Sequence, residues 1–171
     1  MFNQFTYKSV NLCTTSECNE IIKLYDDKRL EEINQGTDST YRKVKITSVN
    51  LNNHEEIINA IFEANNYFFN FDLSTKIEAY FGKYETFHHY NKEHIDSRPL
   101  VDKNDMQRKL SFSLLLNNDY EGGELSMSGV NLNIGAGDIV VFPSFIPHSV
   151  STVTSGTRYV IFGFCLGPSW R

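Results

Sequence analysis

Cysteine is scarce in this 171-residue chain. There are three, Cys13, Cys18 and Cys165, an odd number with no metal-type C-x-x-C spacing. That argues against a disulfide framework and suits reduced thiols in a cytoplasmic protein. No base accompanies any of them in the sequence pattern, so nucleophilic catalysis by cysteine is a poor fit. Basic excess is lacking too: the formal net charge is −5, whereas a phosphate-binding surface wants an excess of Lys and Arg. A nucleic-acid partner is therefore disfavoured. No apolar run approaches the ~18–20 residues that span a bilayer, and the opening MFNQFTYKSV has neither a basic n-region nor an apolar core. Neither a membrane nor a signal peptide is expected. Repeats, linkers and low-complexity tracts are also missing. What is present, 40% hydrophobic and 13% aromatic residues, is the composition of one folded domain.

The first 70 residues read as support. Residues 3–12 suit an edge strand. Thr14 with Glu17 three positions later is a capping box, opening a helix whose stripe is Ile21, Ile22, Leu24 and Tyr25. Lys28 to Ser39 is polar and reads as a loop, and Tyr41 to Val49 alternates as a strand. Asn53 is placed to cap a second helix, with Glu55 and Glu56 at its positive end. From Phe68 the period becomes two, through Phe69, Phe71 and Leu73, followed by a strand at Ile77 to Lys83. Further short strands are expected at Leu110–Leu116, Glu124–Met127, Val130–Ile134, Ile139–Phe142, Val150–Val153 and Arg158–Phe164, broken by glycine turns. Seven or eight such strands indicate a β-sandwich or jelly roll. The fold class is mostly β with supporting α: residues 1–171 as one domain, 1–70 as support and 71–171 as core.

One stretch carries the chemistry. Tyr84 to Asp96 (YETFHHYNKEHID) ends in His94-Ile95-Asp96, and a His and an Asp two apart on a strand project from one face. An H-x-D triplet alone is usually a surface His beside a solvated Asp. A second histidine, His148, follows Pro147 at a strand entrance. Two His and one carboxylate form the facial triad of non-heme Fe(II) oxygenases, with three positions left open. Arg158 opens a strand that should be largely buried, and a buried guanidinium requires an anion. Its partner is either an internal Asp or Glu or the far carboxylate of a dicarboxylate co-substrate. His88 and His89 are rival ligands. Neighbours on a strand face opposite ways, so at most one of them could join His94.

Those segments together resemble an Fe(II)- and 2-oxoglutarate-dependent dioxygenase of the prolyl 4-hydroxylase type. The resemblance runs from about Phe71 to Arg171. It takes in the strand into His94-Ile-Asp96-Ser97, Lys109 to Asn117, Asp119 to Leu125, Gly137 to Pro143, Pro147-His148, Val153 to Tyr159 and the terminal Gly167 to Arg171. An Arg ten residues beyond the distal His makes the ordered set specific. The resemblance implies a double-stranded β-helix (jelly roll) core packed against N-terminal helices. It implies His94, Asp96 and His148 as iron ligands, Arg158 on the C5 carboxylate of 2-oxoglutarate, and Tyr84 and Leu125 in the same co-substrate pocket. Its cofactors would be Fe(II), 2-oxoglutarate and O2, with ascorbate as a candidate reductant.

The chain departs from that pattern in its middle. No Gly stands between Tyr84 and the H-x-D triplet, and the place three before the first His, usually aromatic, is Asn91, with Tyr90 one earlier. Ser149 follows the distal His, where larger residues are frequent. The expected reaction is hydroxylation of a peptidyl side chain, proline first, with release of succinate and CO2. Alternatives are a free amino acid or small metabolite, nucleic-acid demethylation by the same chemistry, or a non-catalytic binding module. A cupin site would need a clustered H-x-H, which is absent. The polar segment Ser97 to Gln107 is the candidate substrate-covering loop, and the oligomeric state stays open.

Overall fold

Strand alternation separates the molecule into two cores. The computed structural model describes residues 6–9, 11–36, 40–97 and 106–169. Among these, seven antiparallel strands form the larger sheet. In spatial order they are β1 (Tyr7–Ser9), β10 (Ile139–Pro143), β6 (Met106–Leu115), β13 (Arg158–Pro168), β4 (Ile77–Tyr84), β3 (Arg42–Ser48) and β2 (Glu31–Gln35). Opposite lies a smaller sheet of β5 (Tyr90–His94), β11 (His148–Val150), β8 (Leu125–Met127) and β9 (Val130–Asn131). A ribbon pairs β12 (Val153–Gly156) with β7 (Tyr120–Gly122). The result is a jelly-roll core with few helices.

Period two assigns each face of the larger sheet its own task. On β6, Leu110, Phe112 and Leu114 join the helix-side core, while Leu115 belongs to the core between the sheets. On β10, Ile139 and Val141 face the helices and Val140 and Phe142 face inward. On β13, Ile161 and Cys165 face out and Val160 faces in. Arg158 is an even number on this strand and therefore shares the inward face.

Two helices cover the outer face. α1 (Thr15–Asp26) starts with the expected capping box: the Glu17 amide donates to the Thr14 hydroxyl at 3.3 Å, and the Thr14 amide donates to the Glu17 carboxylate at 2.7 Å. Cys18, Ile21 and Tyr25 are its buried stripe. Tyr25 stacks on Phe81 with ring centroids 5.6 Å apart, and Phe81 stacks on Tyr159 at 5.8 Å. α2 (Glu55–Ala64) buries Ile57, Ala60, Ile61 and Ala64 against the same sheet.

Several local readings change. The polar stretch after α1 holds β2, which pairs with β3 from Glu31↔Ile46 to Gln35↔Arg42. An edge strand with one apolar residue, Ile33, looks like a loop in sequence. Asn53 ends a 3-10 turn (Leu51–Asn53), and the α2 cap position is His54, which makes no side-chain capping bond. The alternation at Phe69 is not a strand. α2 runs into a π turn at Asn65–Phe69 that stops at Asn70, with φ 51°. The buried Asn65 amide fixes this exit, accepting from the Phe71 amide at 2.9 Å and donating to its carbonyl at 3.0 Å. The strand expected at Val150–Val153 splits into β11 and β12. Of the proposed covering loop, residues 98–105 lie outside the described residues, and Met106 and Gln107 belong to β6.

One glycine marks how tightly β13 sits. A Cβ on Gly163 would lie 2.1 Å from the Glu78 carbonyl oxygen of β4 and 2.8 Å from the Phe112 ring. Neither is the loose end of a flexible chain. Gly163→Ala is expected to lower unfolding stability by about 1–3 kcal/mol or more, as overpacked cores do, measurable by urea denaturation. A change under about 0.5 kcal/mol would show that the strands yield freely there.

Candidate active site

The backbone brings the first pair of groups together. β5 and β11 are antiparallel neighbours with His94 opposite His148, so the two rings lie on one face, centroids 4.3 Å apart. Asp96 follows just beyond β5, its amide donating to the Ser144 carbonyl at 2.8 Å. Its carboxylate oxygens lie 3.7 Å from the His94 Nε2 and 3.2 Å from the His148 Nε2. The three ligand atoms fall within 4.8 Å of one another. Cis ligands ~2.1 Å from a common metal are roughly 3 Å apart. The group can hold one metal ion with small side-chain rotations.

Outer contacts aim these atoms. Nδ1 of His94 donates to the Lys92 carbonyl and Nδ1 of His148 to the Ile146 carbonyl, each at 3.0 Å. Both Nε2 atoms are thereby turned toward the shared point, the arrangement metal-binding histidines use. The Ser111 hydroxyl donates to Asp96 at 2.7 Å and lies 2.9 Å from the Ser144 hydroxyl.

Protonation states follow from burial and from these contacts. Burial, then the facing His148, pushes the pKa of His94 down to about 4. It is neutral and able to ligate near pH 7. Burial alone would raise Asp96, but hydrogen bonds from His148 and Ser111 outweigh it and hold the carboxyl below its usual value. Burial likewise opposes the charge on His148, yet the bond to Asp96 prevails and raises its pKa. A proton resting between His148 and Asp96 is one that a bound metal would displace.

A cavity of about 340 Å³ opens beside this cluster, and Tyr84, Leu125 and Arg158 line it with His94, Asp96 and His148. Arg158 is 1% exposed. Its guanidinium carbon sits 5.3 Å from the centroid of the Tyr84 ring, on the residue it pairs with across β4 and β13. No carboxylate among the described residues forms an ion pair with it, and its buried Nε has no hydrogen-bond partner. Of the two partners open to Arg158 in sequence, the internal acid is thus missing among the described residues. A free dicarboxylate fits.

Other predicted residues separate cleanly. His88 is buried against Glu85, 3.9 Å away, and His89 is tied by backbone bonds to Lys43. Neither joins the cluster. Tyr90, rather than Asn91, faces the site, and it stacks on His94 at 3.6 Å between centroids. Four residues along a regular strand span ~13 Å, so the chain between them must fold up. The register does shift here, from His148↔His94 to Val150↔Tyr90, which is a bulge. Asn91 turns away to Thr152. The left-handed position between Tyr84 and His94 is filled by Phe87, at φ 69°, where a glycine would be unstrained.

Ser111, Ser144 and Arg42 escape the sequence reading. The signal for the first was there: Ser111 and Ser113 interrupt an apolar run at spacing two, marking one face of β6 as polar. Replacing Ser111 by Ala is expected to weaken Co(II) or Fe(II) binding by roughly 10-fold or more with little change in the unfolding midpoint. Unchanged affinity in a metal titration would show that Asp96 needs no such support.

Comparison with known proteins agrees with this geometry. The profile described as the 2OG-Fe(II) oxygenase superfamily matches residues 79–166, just over half of the chain. A PKHD-type hydroxylase of Prochlorococcus marinus is 40% identical over 83 residues, 45% of this chain and 36% of that one. The matched stretch thus spans about a third of that relative. A prolyl-4-hydroxylase of Pseudomonas putida superposes with TM-score 0.76 at 20% identity, over 98% of this chain and 95% of that one. A viral collagen prolyl hydroxylase from Paramecium Bursaria Chlorella virus-1, solved with 2-oxoglutarate, gives 0.77 at 17% identity, over 96% and 97%. At those identities the likeness is one of fold.

Proposed function

This chain belongs to the 2OG-Fe(II) oxygenase superfamily, and on that premise we propose that it hydroxylates a peptidyl side chain, proline first, using Fe(II), 2-oxoglutarate and O2. The observation that carries the reading is the buried Arg158, without a carboxylate partner among the described residues, in one cavity with three convergent ligand atoms. His94, Asp96 and His148 are the iron ligands in this reading. When bound, the metal and co-substrate supply oxidative decarboxylation to succinate and CO2, coupled to oxygen insertion into a substrate C–H bond.

The chain's own residues bind, orient and exclude. Arg158 pairs with the distal carboxylate of 2-oxoglutarate, a charge-assisted contact in a dry site. Tyr84 offers its hydroxyl to the same co-substrate, and Leu125 supplies apolar wall that keeps water out. Ser111 steadies the one anionic ligand. Peptidyl proline as substrate is supported by the names of the relatives, hydroxylases of prolyl and PKHD type. A single domain is the simplest organisation, because β2 and β3 extend the sheet that β4, β6, β10 and β13 build. No helix among the described residues is long and apolar enough to cross a membrane. The three buried cysteines are unpaired, which fits a reducing compartment such as the cytoplasm.

Anaerobic addition of Fe(II) and 2-oxoglutarate should produce a metal-to-ligand charge-transfer band that His94→Ala and Asp96→Ala abolish. Arg158→Gln should raise the KM for 2-oxoglutarate by roughly 10–100-fold, the worth of a hydrogen-bonded charge pair. Succinate formation should respond to proline-containing peptides more than to free proline or methylated oligonucleotide. A band that survives loss of either ligand would sink the site assignment.

A further inference from the structure

Among the described residues three guanidiniums line the cavity, and their charges are not all spoken for. Arg108 is neutralised by Glu78 at 2.9 Å. Arg158 is assigned to the co-substrate above. Arg42 is left over: its Nε is buried without a hydrogen-bond partner, and no carboxylate among the described residues pairs with it.

Its placement is built by the backbone. Arg42 opens β3 on the same inward face as Val44 and Ile46, which pack in the core between the sheets. Beside it, Lys43 and His89 exchange backbone hydrogen bonds of 2.8 and 3.0 Å, tying β3 to the start of β5. That bridge sets the Arg42 guanidinium 4.9 Å from the centroid of the Tyr90 ring, and Tyr90 in turn stacks on His94. A fixed positive charge thus stands two ring contacts from the metal cluster, on the cavity wall.

We propose that Arg42 recognises a carboxylate on the substrate and so sets the substrate class: an acidic peptide, or one ending in a free carboxylate beside the reacting residue. This rests on the oxygenase reading above. A planar guanidinium held over an aromatic ring presents its remaining N–H groups edge-on, the geometry that grips a carboxylate with two hydrogen bonds. The bland alternative is that Arg42 only props Tyr90 through its cation–π contact. The two differ in what they do to charged and neutral substrates.

The test is a matched panel: proline peptides carrying Glu or Gln next to proline, and peptides ending in free acid or amide. Each is assayed for stimulated succinate formation, and for binding, by fluorescence anisotropy, to protein loaded with Zn(II) and 2-oxoglutarate, where no turnover occurs. Wild type should favour at least one carboxylate-bearing member over its neutral twin by 10-fold or more in KM and in Kd. The Glu/Gln arm and the acid/amide arm separate a side-chain carboxylate from a chain end. Arg42→Met, which keeps apolar packing on Tyr90, should erase that preference while the anaerobic charge-transfer band persists. The proposal is overturned if wild type shows no carboxylate preference, including no response to any member, or if Arg42→Met retains it. An equal loss for charged and neutral members would assign Arg42 to propping Tyr90 instead. Absence of the band in wild type would refute the oxygenase reading itself.

Discussion

The pairing of His94 with His148 across β5 and β11 is the constraint on which the site depends. Backbone hydrogen bonds, rather than the side chains, fix how far apart the two imidazoles stand. Once that register is set, the carbonyls of Lys92 and Ile146 decide which nitrogen of each ring faces inward. Asp96 is steadied from the other side, by Ser111 on β6 of the facing sheet, whose hydroxyl also meets that of Ser144 just past β10. The three candidate ligands sit at the end of β5, two residues past it, and on β11, so cavity and cluster are shaped by one small sheet against one large one.

Burial explains why the cluster is electrically unusual. Two histidines and a carboxylate in a dry site would ordinarily resist charge. Here one His is driven neutral, while the other shares a proton with Asp96. Opposite them, Arg158 brings a positive charge that no described carboxylate answers. A buried cation without a carboxylate partner among the described residues is costly by itself. It makes sense when an anionic molecule is part of the working assembly.

Much of this was legible in the sequence, and the reasons for the rest are specific. The pairing of His94 with Asp96 follows from period-two reasoning and the interest of Arg158 from the cost of burying charge, whereas joining His148 to them rested on the resemblance to a known family. The α1 capping box is a local signal and reads correctly. β2 was hidden because an edge strand has little to bury, and the π turn after α2 was hidden because five aromatic and polar residues fit either period. Tyr90 required knowledge of a bulge, which is a property of two strands and not of one. Arg42 is more instructive. It shares parity with Val44 and Ile46, so its inward face was readable, but its nearness to Tyr90 comes from the Lys43–His89 bridge, a contact across 46 positions that no local pattern encodes.

The two-core arrangement of the larger sheet has a consequence for how such a protein can change over time. Outward-facing positions such as Leu110, Val141 and Ile161 hold the helices, while Ser111, Phe142, Val160 and Phe162 beside them in the chain line the cavity. Adjacent residues therefore answer to different demands, one to folding and the next to chemistry. Exchanges at Ser113, Phe162 or Ile46 can reshape what the chamber admits without disturbing the helix-side packing. A lineage can move from one substrate to another by alternate steps along a strand while the protein stays folded throughout.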